Sequence, residues 1–145
     1  MKILIQRVTQ ASVSVDGSTL GKIDRGVLAL IGIQKHDTDA ILARMADKLL
    51  AYRIFPDADG KMNLSLTEVN GGLLAISQFT LAADTRKGLR PSFSSACAPQ
   101  EAEILFHRFL ELLRTRHKQV ETGRFAADMK VSLLNDGPVT FLLEM

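Results

Sequence analysis

The sequence is short of several things, and each shortage excludes something. Cys97 is its one cysteine, so no intrachain disulfide can form. That fits a reducing compartment, and a cytoplasmic location is expected. Its longest apolar stretch, Gly26 to Ile33, falls far short of the roughly 20 residues a helix needs to cross hydrocarbon, so no membrane partner is expected. The first apolar run is broken by Gln6 and Arg7 after a single cation at Lys2, so no signal peptide is expected. Net charge is also small: 18 basic against 16 acidic side chains give +2. Such a balance carries no global electrostatic signal for nucleic acid, and any contact with one must come from local clusters. The histidines are three, His36, His107 and His117, and no pair has metal-ligand spacing, so neither a metal nor another cofactor is expected. The segment Asp57-Ala58-Asp59-Gly60-Lys61 has its glycine at the wrong place for a calcium loop and reads as a surface turn.

What is present is the composition of an ordinary globular domain. The chain has 145 residues, 46% apolar and 23% charged, and folding would bury roughly two thirds of its surface. One domain spanning residues 1–145 is expected, without repeat or linker. Ala11 to Asp16 alternates apolar and polar, which predicts a strand with one face on a core, and Asp16-Gly17 marks a hairpin. Ile3 to Val8 precedes it as a separate strand. Gly26 to Ile33 is continuously apolar, as a strand buried on both faces would be. Ile41, Met45, Leu49 and Tyr52 predict a helix over 37–52 capped by Asp37 or Thr38. Pro56 to Gly72 reads as a long surface loop or a short ribbon, Leu73 to Ser77 as a strand, and Leu81 to Ala98 as irregular. Pro99 starts a second helix with Ala102, Leu105 and Phe109 on its buried stripe, and His117 is expected in solvent at its basic end. Met129 to Leu134 and Val139 to Leu143 read as two strands joined by a turn at 135–138. The fold expected is α+β: mostly antiparallel strands in a barrel-like or two-sheet core, with two main helices.

Candidate chemistry is sparse. There is no G-x-S-x-G elbow, and Cys97 has no evident base beside it, so it reads as a buried structural residue. Ser77-Gln78-Phe79-Thr80 ends a buried strand, where backbone N–H groups become available to a ligand. Asn135-Asp136-Gly137-Pro138-Val139-Thr140 contains a glycine that allows close backbone approach and a bond that can be cis. Arg86, Lys87 and Arg90 form a short basic stretch able to meet phosphates, although solvated charge is the commoner use of such runs.

Taken with Gln6-Arg7-Val8 and the stretch Lys87 to Phe93, these two segments resemble the D-aminoacyl-tRNA deacylases over the whole chain. Their order and spacing are specific as a pair. One departure is visible: the family commonly has F-G-A-x-M, and here Phe125-Ala126-Ala127-Asp128-Met129 puts alanine for that glycine. The resemblance implies hydrolysis of the ester joining a D-amino acid, or mischarged glycine, to the 3′ end of tRNA. It implies a homodimer with sites at the subunit interface. Gly137 and a cis Pro138 would reject L-side chains by clash, with Arg7, Asn135 and Thr140 supporting that motif. Ser77, Gln78, Phe79 and Thr80 would form the catalytic pocket, and Phe125 and Met129 would lie near the amino group and adenosine. Thr80 has no base in these motifs to activate it. Hydrolysis assisted by the substrate's ribose 2′-hydroxyl, with Thr80 structural, is therefore expected. The rivals are a nucleic-acid-binding module without turnover and a small amidase using Thr80 or Cys97.

Overall fold

The computed structural model describes residues 1–86 and 88–145. Its centre is β1, Lys2–Val15, a single strand of 14 residues. The buried positions Ile3 and Ile5 give way to Val8 and then to Ala11, Val13 and Val15, so the inward parity changes twice. The cause is two register shifts against the last strand, around Val8. Such bulges bend a strand without ending it. The two strands expected over 3–8 and 11–16 are thus one, and the polar pair Thr9-Gln10 marks the bend. Because of it, Ile3 and Ile5 enter one hydrophobic cluster while Val8, Ala11 and Val13 enter another.

β1 pairs antiparallel with β2 (Ser18–Ile23) and β3 (Gly26–Gly32), and along its length with β8 (Lys130–Glu144). β3 continues the sheet to β6 (Gly72–Ser77) and β7 (Val120–Thr122), both in parallel register. The order β2-β1-β3-β6-β7, with β8 on the other edge of β1, makes a mixed, curved, nearly closed sheet. β4 (Phe55–Pro56) and β5 (Met62–Leu64) form a small second sheet. Parallel pairing needs crossovers, and the two helices supply them. α1 (Asp39–Ala51) lies between β3 and β6, and α2 (Pro99–Arg116) between β6 and β7. The fold is α+β with a barrel-like core.

The continuous apolar runs have a direct use. Val27, Ala29 and Ile31 of β3, with Leu73 and Ala75 of β6, face the helices. Leu28, Leu74 and Ile76 face the opposite way, into the second cluster. Thr38 caps α1, its hydroxyl accepting from Ile41 N–H at 3.4 Å. Arg108 and Arg116 of α2 pair with Asp39 and Asp47 of α1, both at 3.1 Å. The Asp57 segment is the expected turn, its carboxylate accepting from the N–H groups of Asp59 and Lys61.

Two further expectations are overturned. His117 is buried, not solvated: its ring Nε2 lies 2.7 Å from the carbonyl oxygen of Gly71, giving a buried polar group its partner. The segment 135–138 does not reverse the chain. β8 runs through it as one strand of 15 residues, with the irregular register against β1 absorbing Gly137 and Pro138. No helix is long and apolar enough to cross a membrane among the described residues.

Candidate active site

β6 is buried until Ser77, where the chain leaves the sheet. Gln78 N–H still donates to Ile31 O at 2.7 Å, and a 3-10 turn, Phe79–Ala82, follows. This turn sits against β3 because Gly32 has no side chain: a Cβ there would stand 2.9 Å from Leu81 Cβ. The first hydrogen bond of the turn is Leu81 N–H to Gln78 O at 3.2 Å. The N–H groups of Phe79 and Thr80 therefore precede any bond within the turn, as at the start of every helix.

Beside this turn lies a pocket of about 430 Å³. Ser77, Gln78 and Phe79 form one wall, Phe125, Ala126, Ala127 and Met129 another, and Cys97, Pro99 and Ala102 at the start of α2 a third. The structure thus joins the S-Q-F-T segment to the F-A-A-D-M segment, 45 or more residues away in the chain. Phe125 is seated by Phe106 of α2, ring centroids 6.0 Å apart. Gly123 is what lets Met129 lie where it does, since a Cβ at 123 would collide with the Met129 sulfur. Ala126 has φ of +58°, the left-handed conformation that glycine adopts most easily. That explains why the resemblance expects glycine there; alanine adopts the same shape at some cost in strain.

Thr80 is the neighbour of this wall and is not one of the pocket-lining residues. Its hydroxyl oxygen accepts from Gln78 Nε2 at 2.7 Å. Its proton has no base to take it, because no carboxylate or imidazole bonds the hydroxyl among the described residues. Cys97 is 9% exposed, and burial together with Glu101 pushes its thiol up to about 11, so it stays protonated at neutral pH. A protonated thiol is a poor nucleophile. Among the described residues no group of three or more His, Cys, Asp or Glu is placed to hold a metal ion.

The basic stretch lies on the adjoining loop, closed by a bridge between Asp84 and Ser92. Arg86 is not a bare cation: Asp84 accepts from its Nε at 2.9 Å and from its Nη2 at 2.7 Å. That pairing holds the Asp84 carboxyl far below the ordinary range and raises the guanidinium. Arg90 is exposed at the tip, and Lys87 lies outside the described residues.

Gly137 and Pro138 are exposed, and the bond between them is cis. Their flanks are fixed from several sides. Arg7 Nε donates to Asp136 O at 3.0 Å and pairs with the Asp136 carboxylate at 3.2 Å, while Nη1 donates to Ile54 O at 2.6 Å. Asn135 Oδ1 accepts from Val139 N–H at 2.8 Å, and Thr140 Oγ1 accepts from Gln6 Nε2 at 3.2 Å. Gly137 and Pro138 do not line the pocket of their own chain. Val131, the pocket-lining residue on β8, is six positions from Gly137, roughly 20 Å along the strand.

The family model described as D-Tyr-tRNA(Tyr) deacylase matches residues 4–144. The chain belongs to that family. It is 67% identical to the D-aminoacyl-tRNA deacylase of Teredinibacter turnerae, covering 99% of both chains. It is 61% identical to that of Saccharophagus degradans over the whole of both. Among solved structures it resembles a c-Myc DNA unwinding element binding protein with a TM-score of 0.96 and 40% identity, covering 100% of this chain and 99% of that one. The fold is shared with a probable eukaryotic D-amino acid tRNA deacylase, with a TM-score of 0.88 at 19% identity over 99% of this chain and 98% of that one. Within this deacylase-family chain, sequence reasoning did not single out Pro99, Ala102, Ala127 and Cys97 as pocket residues. Pro99 at a helix start and Ala102 on its inward stripe were legible, but their meeting with Phe125 depends on the crossover of α2.

Proposed function

We propose that this chain hydrolyses the ester between a D-amino acid, or mischarged glycine, and the 3′-terminal adenosine of tRNA, acting in the cytoplasm as a homodimer of 1–145 units. The observation that carries this is the convergence of Ser77-Gln78-Phe79 and Phe125–Met129 on one pocket, in a member of a deacylase family. In this reading the N–H groups of Phe79 and Thr80 face the ester carbonyl and stabilise the oxyanion as it forms. Phe125 and Met129 hold the amino group and adenosine. Water attacks the carbonyl carbon, the bond to the ribose 3′-oxygen breaks, and that oxygen leaves with a proton. The adjacent 2′-hydroxyl orients the water and moves the proton, while Thr80 braces Gln78. Replacing the terminal 2′-hydroxyl by hydrogen, with the ester on the 3′-oxygen, should slow turnover roughly 100-fold or more, the usual worth of acid–base assistance. Unchanged turnover on the deoxy ester would reject the role of the 2′-hydroxyl and leave the ester hydrolysis itself standing.

Selectivity would come from the partner subunit. Gly137 and Pro138 are exposed and remote from their own pocket. Leu133, Leu134, Phe141 and Leu142 are exposed on the strand that carries them. β8 pairs only with β1, so its second edge is open among the described residues. A long, apolar, open-edged strand calls for a cover, and a second copy would carry Gly137 and Pro138 into the facing pocket. There their carbonyl oxygens would meet an L-side chain and leave a D-side chain room. The alternative is a nucleic-acid-binding module, favoured by the name of the 40%-identical structure. Incubation with D-Tyr-tRNA separates the two: release of tyrosine above the rate in buffer supports the deacylase, and tight binding without release supports the module.

A further inference from the structure

Phe79 and Phe93 are large aromatic residues left in solvent at the mouth of the pocket. Phe79 is 62% exposed and Phe93 42%. Their ring centroids are 5.2 Å apart, with planes tilted by 44°. Neither belongs to the hydrophobic clusters that hold the fold. Phe79 lines the pocket, and Phe93, packed against it, is not among the lining residues.

The loop presents Phe93 rather than letting it collapse. Asp84 and Ser92 exchange both backbone hydrogen bonds, at 2.7 and 3.0 Å. Phe93 O accepts from Ala96 N–H at 3.0 Å, and Ser95 Oγ donates to Ala82 O, tying the loop to the turn that carries Phe79. The same loop carries Arg90, exposed at its tip, and Arg86, whose guanidinium is already engaged by Asp84. Exposed rings on a braced loop are a means by which proteins hold unpaired nucleotides, because bases stack on the rings.

We propose that Phe93, together with the outer face of Phe79, forms a stacking subsite for the base of the nucleotide immediately 5′ to the aminoacylated terminal adenosine. The subsite lies outside the ester pocket and takes a single unpaired nucleobase, whatever its identity, since every base has a π face. It rests on the deacylase reading for the polarity of the strand. Phe93 is then a positioning residue: it grips the carrier of the ester and touches no reacting atom.

The test uses two substrates that differ only in the upstream nucleotides, D-tyrosyl-tRNA and D-tyrosyl-adenosine. Phe93→Ala should raise KM for D-tyrosyl-tRNA about 5- to 150-fold, the range of one lost base–ring stack, with kcat nearly unchanged. The kcat/KM for D-tyrosyl-adenosine should stay within about twofold. Phe93→Trp should restore the tRNA value. Equal losses on both substrates would overturn the proposal, because Phe93 would then act only by supporting Phe79 and the pocket. No loss on either would overturn it as well. A binding measurement keeps the subsite separate from the activity. A tRNA 3′-end oligonucleotide with 2-aminopurine as its penultimate base should lose fluorescence on binding the wild type and not on binding Phe93→Ala. Quenching that is the same for both proteins rejects the subsite. If the wild type cleaves neither ester while the quenching still depends on Phe93, the deacylase reading fails and the subsite stands.

Discussion

Two residues, Thr80 and Cys97, test whether the proposed hydrolysis is assisted or nucleophilic. Thr80 accepts a hydrogen bond from an amide, and Cys97 is held protonated by burial. Thr80→Ala should therefore keep turnover on D-aminoacyl-tRNA within about threefold, whereas removing an activated nucleophile costs orders of magnitude. A trapped acyl-Thr80 species would contradict the account. Cys97→Ala should likewise remain active, and iodoacetamide at pH 7.5 should not inactivate the wild type. The thiol also has a signed effect on stability. It loses its proton near its ordinary value of 9.0 when unfolded and near about 11 when folded. The folded state thus holds the proton more tightly, and this contribution is complete below pH 9 and lost as pH rises toward 11. Cys97→Ala should remove that part of the alkaline decline in a denaturation series. Ala126 offers a third test. The left-handed φ strains alanine by about 1–2 kcal/mol, and glycine's freer unfolded chain gives back about 0.4–1 kcal/mol. Ala126→Gly should raise Tm by roughly 2 °C, with activity retained, as read by thermal unfolding.

At the scale of elements, β8 combines structure with the proposed selectivity. Its central segment is held by Arg7, which reaches the backbone of Asp136 and of Ile54 at once. Lysine cannot make that fork, so Arg7→Lys is not conservative here. It should lower the ratio of D- to L-ester hydrolysis about tenfold or more while leaving the rate on the D-ester within a few fold. An unchanged ratio would mean that Asn135 and Thr140 suffice. The same strand marks the limit of what residue patterns disclose. The alternation in Ala11–Asp16, the apolar run Gly26–Ile33 and the start of α2 at Pro99 each follow from local rules, and the structure has them. The continuity of β1 through Thr9-Gln10, and of β8 through Asn135–Pro138, was not legible. Each breaks its alternation at a bulge, and a broken pattern in one strand looks the same as a turn until its partner is known. His117 failed for a related reason. A histidine in a basic helix end reads as solvated, and only the fold brings the Gly71 carbonyl to it.

For the whole molecule, one subunit contains a pocket and, far from it, the segment expected to police that pocket. The pocket was half legible: Ser77–Phe79, Phe125 and Met129 stood out through the resemblance, whereas the third wall and the Phe79–Phe93 pair follow from the crossover and the loop. Leu133 and Phe141 lie on the proposed subunit interface. The pair of changes Leu133→Lys and Phe141→Lys should give a monomer by sedimentation, with deacylase activity reduced at least tenfold, because buried charges oppose association. An active monomer would remove the cross-subunit arrangement. The most direct test of the central claim is the rate of ester loss from D-Tyr-tRNA and L-Tyr-tRNA, measured side by side against buffer. The account predicts that the protein accelerates loss of the D-ester and leaves the L-ester at the rate in buffer. Equal acceleration of both, or of neither, would contradict it.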